Sequence, residues 1–431
     1  MKKITAFITA FVLFIGVAVS AHVITNKKLE TNNADFGTWI STKKDLSYRA
    51  VTSNIEDDTV LMMGSSEFHH GNKTPYHPTN IFRDLNMNVM CIGAAQNQSL
   101  SHAITLGAIA PDMKNKKVVL IVSPSWFAKK GVDGSGFAAR FSESMYEAFL
   151  KNDQLSDETK KAITKRTKQL LEVSPGAQKR AETAEKVILD NNASLEEKVT
   201  FASGRWVTEE KENINIGLMW KLAGGKNNSQ YQQGEQSLEP DWDKLAQEAD
   251  QSIEGKTNNQ FHMVDKLFKN KVEPTMKDRK DADLNRTYGD SPEYGDLRLF
   301  LDVCREQNME VMLIMLPVNG WWYDYTGFPK ENRQAFQTEV EKVAQEYGVK
   351  TCNFFDQCYT PGFLEDVVHP AGKGWVRINE EAYKFLSRIR NWTDKEFWMY
   401  TGLFFVMMIA IYAYVIFAVG IDAPKFTYAE F

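Results

Sequence analysis

The chain has 431 residues, of which 43% are hydrophobic and 25% charged, with a formal net charge of −5. These are globular values that allow one large or two modest cores, and the mild acidity excludes the basic footprint of a nucleic-acid binder. Two uncharged apolar runs stand out from the average and point to a membrane.

The first run, Ile4 to Thr25, follows Lys2 and Lys3 and is long enough to cross a hydrocarbon core of about 30 Å. Val19-Ser20-Ala21 would suit signal cleavage, but the run is long for a signal segment. An uncleaved anchor over residues 1–25 is therefore expected. The two lysines would stay inside and the next domain would lie outside.

Residues 26–390 are expected to form one extracellular α/β domain. Its strand candidates are Val60–Met63, Val89–Ile92, Val118–Val122, Val311–Leu316 and Lys350–Phe354. Runs this apolar suit a parallel sheet covered on both faces. Between them, Leu297, Leu301 and Cys304 repeat at helical spacing, as do Phe336, Val340, Val343 and Tyr347 within Glu331–Tyr347. Alternating strands and helices predict a doubly wound, mainly parallel sheet.

Residues 142–290 depart from that pattern, being rich in Lys, Glu, Gln and Asn with amphipathic stretches at Asp157–Val173 and Ala181–Leu189. They predict a helical insertion capping one edge of the sheet, with loops near Gly224–Gly234 and Lys277–Asp290. The second apolar run, Phe397 to Ile421, predicts a transmembrane helix within residues 391–421, followed by a tail over 422–431.

The candidate chemistry lies at two distant places. Val60 to Glu67 reads as a buried strand entering the small-residue turn Gly64-Ser65-Ser66, and Asp366-x-x-His369 sets a carboxylate three residues before an imidazole. Ser66 would lie at the carboxyl end of the first strand, where open α/β sheets bind ligands. There His369 would take its proton while Asp366 orients the ring. An oxyanion hole is also required. Backbone N–H groups after Ser66 would serve, with Gly93 the leading second donor and Gln96, Asn97 or Gln98 as side-chain alternatives. Trp126 in Ser123–Phe127, and Asn319, Tyr323 and Asp324 in Pro317–Tyr325, fall at later strand ends. They suit either a substrate pocket or a bare aromatic patch.

No cofactor or metal is expected. His69, His70 and His77 cluster, but nothing acidic or cysteinyl completes them at ligand spacing. The four cysteines, Cys91, Cys304, Cys352 and Cys358, include no Cys-x-x-Cys pair. Cys352 and Cys358 could oxidise together in an exported domain, whereas Cys91 and Cys304 look like core thiols.

Taken together, the sequence resembles the SGNH-like fold and, within it, the DltD family of D-alanyl transfer proteins. The resemblance rests on the N-terminal anchor, Gly64-Ser65-Ser66-Glu67-Phe68, Ser123-Pro124-Ser125-Trp126-Phe127, Pro317-Val318-Asn319, Tyr323-Asp324-Tyr325-Thr326-Gly327, Asp366-x-x-His369 and Lys373-Gly374-Trp375. The usual glycine-x-asparagine block of the wider fold is replaced by Ser123–Phe127. The resemblance implies an extracellular, membrane-anchored serine acyltransferase that passes D-alanine to lipoteichoic or wall teichoic acid.

The tail Phe426-Thr427-Tyr428-Ala429-Glu430-Phe431 resembles that of the small acyl-carrying family DltX. The resemblance implies that Tyr428, flanked by Phe426 and Phe431, carries D-alanine from the membrane O-acyltransferase DltB, itself supplied by the carrier protein DltC. Two spans would return the tail to the inner face, although Arg388, Arg390 and Lys395 before the helix favour the opposite orientation. An extended ten-residue tail reaches about 33 Å, close to the hydrocarbon thickness, so threading into a partner tunnel would bridge the faces. The alternatives are an SGNH-type esterase or O-acetyltransferase on another envelope glycan, and a non-catalytic membrane scaffold.

Overall fold

A computed structural model describes residues 2–27, 34–190, 192–225, 239–387 and 394–417. The chain divides into two units, Met1–Leu386 and Ser387–Phe431.

The first unit is built on five parallel strands: β1 (Val60–Gly64), β2 (Val89–Gly93), β3 (Lys117–Val122), β4 (Glu310–Met315) and β5 (Lys350–Asn353). Each lies within two residues of its expected bounds. The order across the sheet is β2-β1-β3-β4-β5, so the chain reverses its direction of winding between β1 and β3. That switch opens a crevice above the carboxyl ends of these two strands.

All residues of β1, β2 and β3 are buried, which explains the unbroken apolar runs. Alternate side chains enter two cores. Leu61, Met63, Ile92, Leu120 and Leu313 pack with helices Ser99–Ile109, Glu293–Glu306 and Lys330–Tyr347. Met62, Val89, Cys91, Val119 and Ile314 pack with helices Pro78–Asp84, Trp242–Ser252 and Gly372–Leu386. A sheet clad by helices on both sides is the doubly wound architecture expected.

Between β3 and β4 the described residues form helices without a strand, including Asp157–Leu171, Pro175–Ile188 and Leu195–Leu222. Ile163, Leu171, Ala181, Ala184, Ile216 and Trp220 join the first core, so these helices are an extension of it. Part of the loop expected near Gly224–Gly234 lies outside the described residues. That expected over Lys277–Asp290 begins with a short helix, Met276–Arg279. All four cysteines are free thiols, so Cys352 and Cys358 are not joined.

The N-terminal run is one helix, Lys2–Lys27, long and apolar enough to cross a membrane over Lys2–Ile24. His22 near its end hydrogen-bonds Glu210 of the helix Leu195–Leu222. The second run is helical over Asp394–Phe417, and its apolar stretch covers Trp398–Tyr414. That stretch is counted over the described residues alone, and the apolar run of the sequence continues to Ile421 beyond them. The tail carrying Phe426, Tyr428 and Phe431 lies outside the described residues.

Candidate active site

β1 delivers its chain to the crevice at Gly64, and the turn that follows is held from three directions. The Ser65 N–H donates to Glu67 Oε1 at 2.6 Å, and the Ser65 hydroxyl donates to the Ala94 carbonyl at 3.2 Å. His102, buried on the helix Ser99–Ile109, pairs through Nε2 with the Gly64 carbonyl at 2.9 Å. Burial lowers the His102 imidazole to about 4, so near neutrality it is uncharged and Nε2–H is the donor. Burial likewise raises the Glu67 carboxyl, against the hydrogen bond from Ser65 and its own N–H.

The two strand-end glycines are required by packing. Gly64 faces Gly93 across the β1–β2 register. A Cβ at Gly93 would meet the Gly64 carbonyl oxygen at 2.3 Å, and one at Gly64 would meet Glu67 Oε1 at 2.2 Å. Gly93→Ala is therefore expected to cost about 1–3 kcal/mol, read as a lower denaturant midpoint at unchanged m-value. An unchanged midpoint would mean that the strand ends can separate freely.

The second half of the site comes from the loop after β5. An isolated antiparallel bridge joins Leu364 to Pro370, and the Glu365 N–H donates to the His369 carbonyl at 2.9 Å. Inside this closed turn, Asp366 Oδ1 accepts from the N–H groups of Val368 at 3.0 Å and His369 at 2.9 Å. Such a side-chain-to-backbone turn is a common use of aspartate. It presents Asp366 Oδ2 to His369 Nδ1 at 2.8 Å. His369 Nε2 in turn lies 2.9 Å from Ser66 Oγ.

Residues 303 positions apart thus form one hydrogen-bonded chain, Asp366–His369–Ser66. The network assigns the tautomer: a proton on Nδ1, directed at the carboxylate, leaves Nε2 to accept from the serine. Burial works against charge on both groups. For Asp366 the imidazole and two backbone N–H donors prevail and hold it at about 2. For His369 the Asp366 hydrogen bond and charge, aided by Glu67 and Glu365, prevail and raise it above the ordinary imidazole value. A basic nitrogen on a serine hydroxyl, with a fixed anion behind it, can support nucleophilic attack on a carbonyl.

The other expected site residues are placed differently. Asn319 is buried, with Oδ1 accepting from the Trp322 N–H and Nδ2 donating to the Phe261 carbonyl, both at 2.9 Å. Its own N–H donates to the Val367 carbonyl at 2.9 Å, so it braces the Asp366–His369 loop from the end of β4. Tyr323 is buried against Phe328, its hydroxyl 3.2 Å from that of Tyr288. Asp324 binds Arg333 at 2.5 Å and the Tyr359 hydroxyl at 2.8 Å. Trp126 is buried with its ring 6.2 Å from that of His102. Gln96 has a left-handed backbone with φ of 74°, and its amide lies against Gly136. Asn97 is tied to Asp45 and Arg140.

Residues not singled out individually by their sequence also meet here. The His70 ring stacks on His369 with centroids 3.6 Å apart and planes 6° from parallel, and His70 Nδ1 hydrogen-bonds Glu365. The Trp375 indole N–H donates to the His70 carbonyl at 3.0 Å, which gives the Lys373-Gly374-Trp375 motif a role. One signal was available: the doublets His69-His70 and Glu365-Asp366 each supply a spare imidazole or carboxylate. Donor atoms of His70, Asp366 and His369 lie within 4.8 Å of one another, a spacing that could also suit a cation. Both His369 nitrogens and His70 Nδ1 are already hydrogen-bonded within the protein, however.

Comparison with known proteins places this geometry in context. The family model described as "DltD protein" matches residues 33–387. Protein DltD of Bacillus subtilis (strain 168) is 30% identical over 385 residues, covering 88% of this chain and 95% of the relative. Protein DltD of Staphylococcus aureus (strain NCTC 8325 / PS 47) is 28% identical over 331 residues, or 75% and 80% of the two chains. Protein DltD of Lacticaseibacillus rhamnosus is 25% identical over 349 residues, or 77% and 78%.

Proposed function

The chain belongs to the DltD family, whose members take part in the D-alanylation of teichoic acids, and from that premise we propose that it is a serine-dependent D-alanyl transferase. The observation that carries this reading is the 2.9 Å contact of Ser66 Oγ with His369 Nε2, backed by Asp366 at 2.8 Å.

Ser66 Oγ attacks the carbonyl carbon of a D-alanyl ester as its proton passes to His369 Nε2. Asp366 holds the resulting imidazolium in place. The C–O bond to the donor breaks, and the departing oxygen takes the proton from His369. A teichoic-acid hydroxyl then attacks the Ser66 ester, gives its proton to His369, and leaves with D-alanine while Ser66 regains a hydrogen. No cofactor enters this cycle. Each ester adds an ammonium group that offsets polymer phosphate charge.

For the oxyanion we favour backbone N–H groups of the turn at Ser66. Gly93, level with Gly64 across the β1–β2 register, and exposed Gln96 just beyond β2 are the further donors we retain. Of the four expected pocket residues we retain Trp126, which lies in the turn after β3, the strand beside β1.

The N-terminal helix would anchor the protein, with residues 26–390 outside the cell and a second span within residues 391–421. The reading of residues 422–431 rests on sequence alone: Tyr428, between Phe426 and Phe431, would receive D-alanine from DltB, downstream of DltC, and hand it to Ser66.

The test is to trap the acyl intermediate by acid quench of full-length protein in D-alanylating membranes, then locate D-alanine by peptide mass spectrometry. An ester on Ser66 is expected, and one on Tyr428 if the tail is the carrier. Undiminished envelope D-alanine ester in a Ser66→Ala strain would exclude the enzyme reading and favour a scaffold. Tyr428→Phe is expected to abolish D-alanylation with the ectodomain still folded; normal ester levels would remove the carrier role. Washing membranes with a chelator is expected to leave Ser66 acylation unchanged, since each step uses only side chains, backbone N–H groups and the reacting esters and hydroxyls. A loss restored by a divalent cation would instead make the His70, Asp366 and His369 cluster a metal site.

A further inference from the structure

The site contains a second imidazole–carboxylate pair that the proposed cycle does not use. His70 and Glu365 run alongside His369 and Asp366, and the two rings lie face to face at 3.6 Å. The second pair is built in from both sides. The His70 N–H donates to the Glu67 carbonyl at 2.9 Å, and its carbonyl accepts from buried Trp375 at 3.0 Å. On the opposite side, the Glu365 carbonyl accepts from the Val264 N–H at 2.8 Å and the Glu365 N–H binds His369.

A lone surface imidazole needs no such fixing. Hydrogen bonds at Nδ1 and Nε2 fix the position of His369 along its N–N axis, but they resist rotation about that axis poorly. A flat partner lying on the ring resists that rotation directly. Its π face also favours the cation that forms when His369 takes a proton.

We propose that His70 is a positioning residue for His369: Glu365 orients its ring, and the stacked ring fixes the plane of the base that serves Ser66. This rests on the serine-transfer reading above. Glu365 has a second effect, because its charge is among those that raise His369, after burial, which opposes them, and after Asp366 and Glu67. The groups facing His369 are Ser66, Glu67 and His70 from the turn after β1, and Glu365 and Asp366 from its own loop. Neutral Asn319 braces that loop from β4. Beside His70 lies His69, which burial holds below its ordinary value.

The test is the rate at which a dialkyl fluorophosphonate labels Ser66 in the full-length protein in detergent, followed from pH 5 to 9. In this reaction an Oγ–P bond forms, fluoride leaves, and the serine proton goes to His369. His70→Ala is expected to lower the plateau rate by roughly ten- to a hundredfold. His70→Phe, which keeps a flat ring over His369, is expected to recover most of it. Glu365→Gln keeps a hydrogen-bonding partner for His70 but removes the charge, so the midpoint should fall while the plateau stays near wild type. Thermal melts identify any variant that fails to fold.

A wild-type plateau in His70→Ala, no recovery in folded His70→Phe, or an unmoved midpoint in Glu365→Gln would overturn the proposal. If the wild-type protein is not labelled at Ser66, the serine-transfer reading itself fails. If it is labelled and all three variants match it, only the role of His70 fails.

Discussion

Ser66→Ala and His369→Ala are each expected to reduce acyl transfer by four orders of magnitude or more, and Asp366→Asn by about 10⁴-fold. A serine hydroxyl is a weak nucleophile until a base accepts its proton, and His369 Nε2 at 2.9 Å is the nitrogen placed to do so. Asp366→Asn keeps the shape of the turn but removes the anion behind Nδ1 and permits the wrong tautomer. The three act as a unit, so Ser66→Ala/His369→Ala should be no worse than either single change. Losses that multiply would show that the residues work independently.

The pH dependence follows from the same contacts. His369 must be neutral to act as base, and its neighbouring carboxylates raise it above the ordinary imidazole value. The rate should therefore rise with pH through a midpoint above about 6.5. Removing the Asp366 charge should move whatever activity remains to a lower midpoint. Initial rates of Ser66 acylation between pH 5 and 9 measure both, and a midpoint that rises in Asp366→Asn would contradict the assignment.

Arg140→Leu is expected to lower the unfolding free energy by about 3–5 kcal/mol. Arg140 and Asp45 have side chains only 7% and 3% exposed and meet at 2.5 Å. Arg140 also donates to Asn97 Oδ1 at 2.6 Å and to the Thr42 carbonyl at 2.7 Å. Without the guanidinium, Asp45 would keep a buried charge with the Asn97 amide on Oδ2 and no hydrogen bond on Oδ1. Breaking such a pair from one side costs far more than replacing both partners. Arg140→Leu/Asp45→Asn should thus recover part of the loss in denaturant titrations of the full-length protein. A cost below 1 kcal/mol for Arg140→Leu would mean that water reaches the pair.

The parts of the site legible in the sequence were those with a short-range signature. β1 is an apolar run leading into Gly64-Ser65-Ser66, and Asp366 reaches His369 within one closed turn. Asn319, Tyr323 and Asp324 follow the carboxyl end of β4, and their partners are Phe261, Tyr288 and Arg333, from segments that no spacing rule connects to them. In the sequence Gly93 stands out only as a candidate oxyanion donor, whereas its tight fit against Gly64 needs the neighbouring strand to be seen. The His70–Glu365 pair joins residues 295 positions apart, so the acidic partner that His70 lacks in local sequence arrives only on folding.

The five-stranded α/β core, the helical stretch between β3 and β4, the apolar N-terminal helix and the motifs carrying Ser66, Asp366 and His369 are all legible in consecutive residues. Hydrophobic period and turn chemistry are local properties, and local properties are written in consecutive residues. Folding is what brings β1 to the loop after β5, turns Ser66 toward Nε2 and lays a second imidazole on the first. Those outcomes depend on strand order and on close packing between segments some three hundred residues apart, a distance over which residue spacing carries no information.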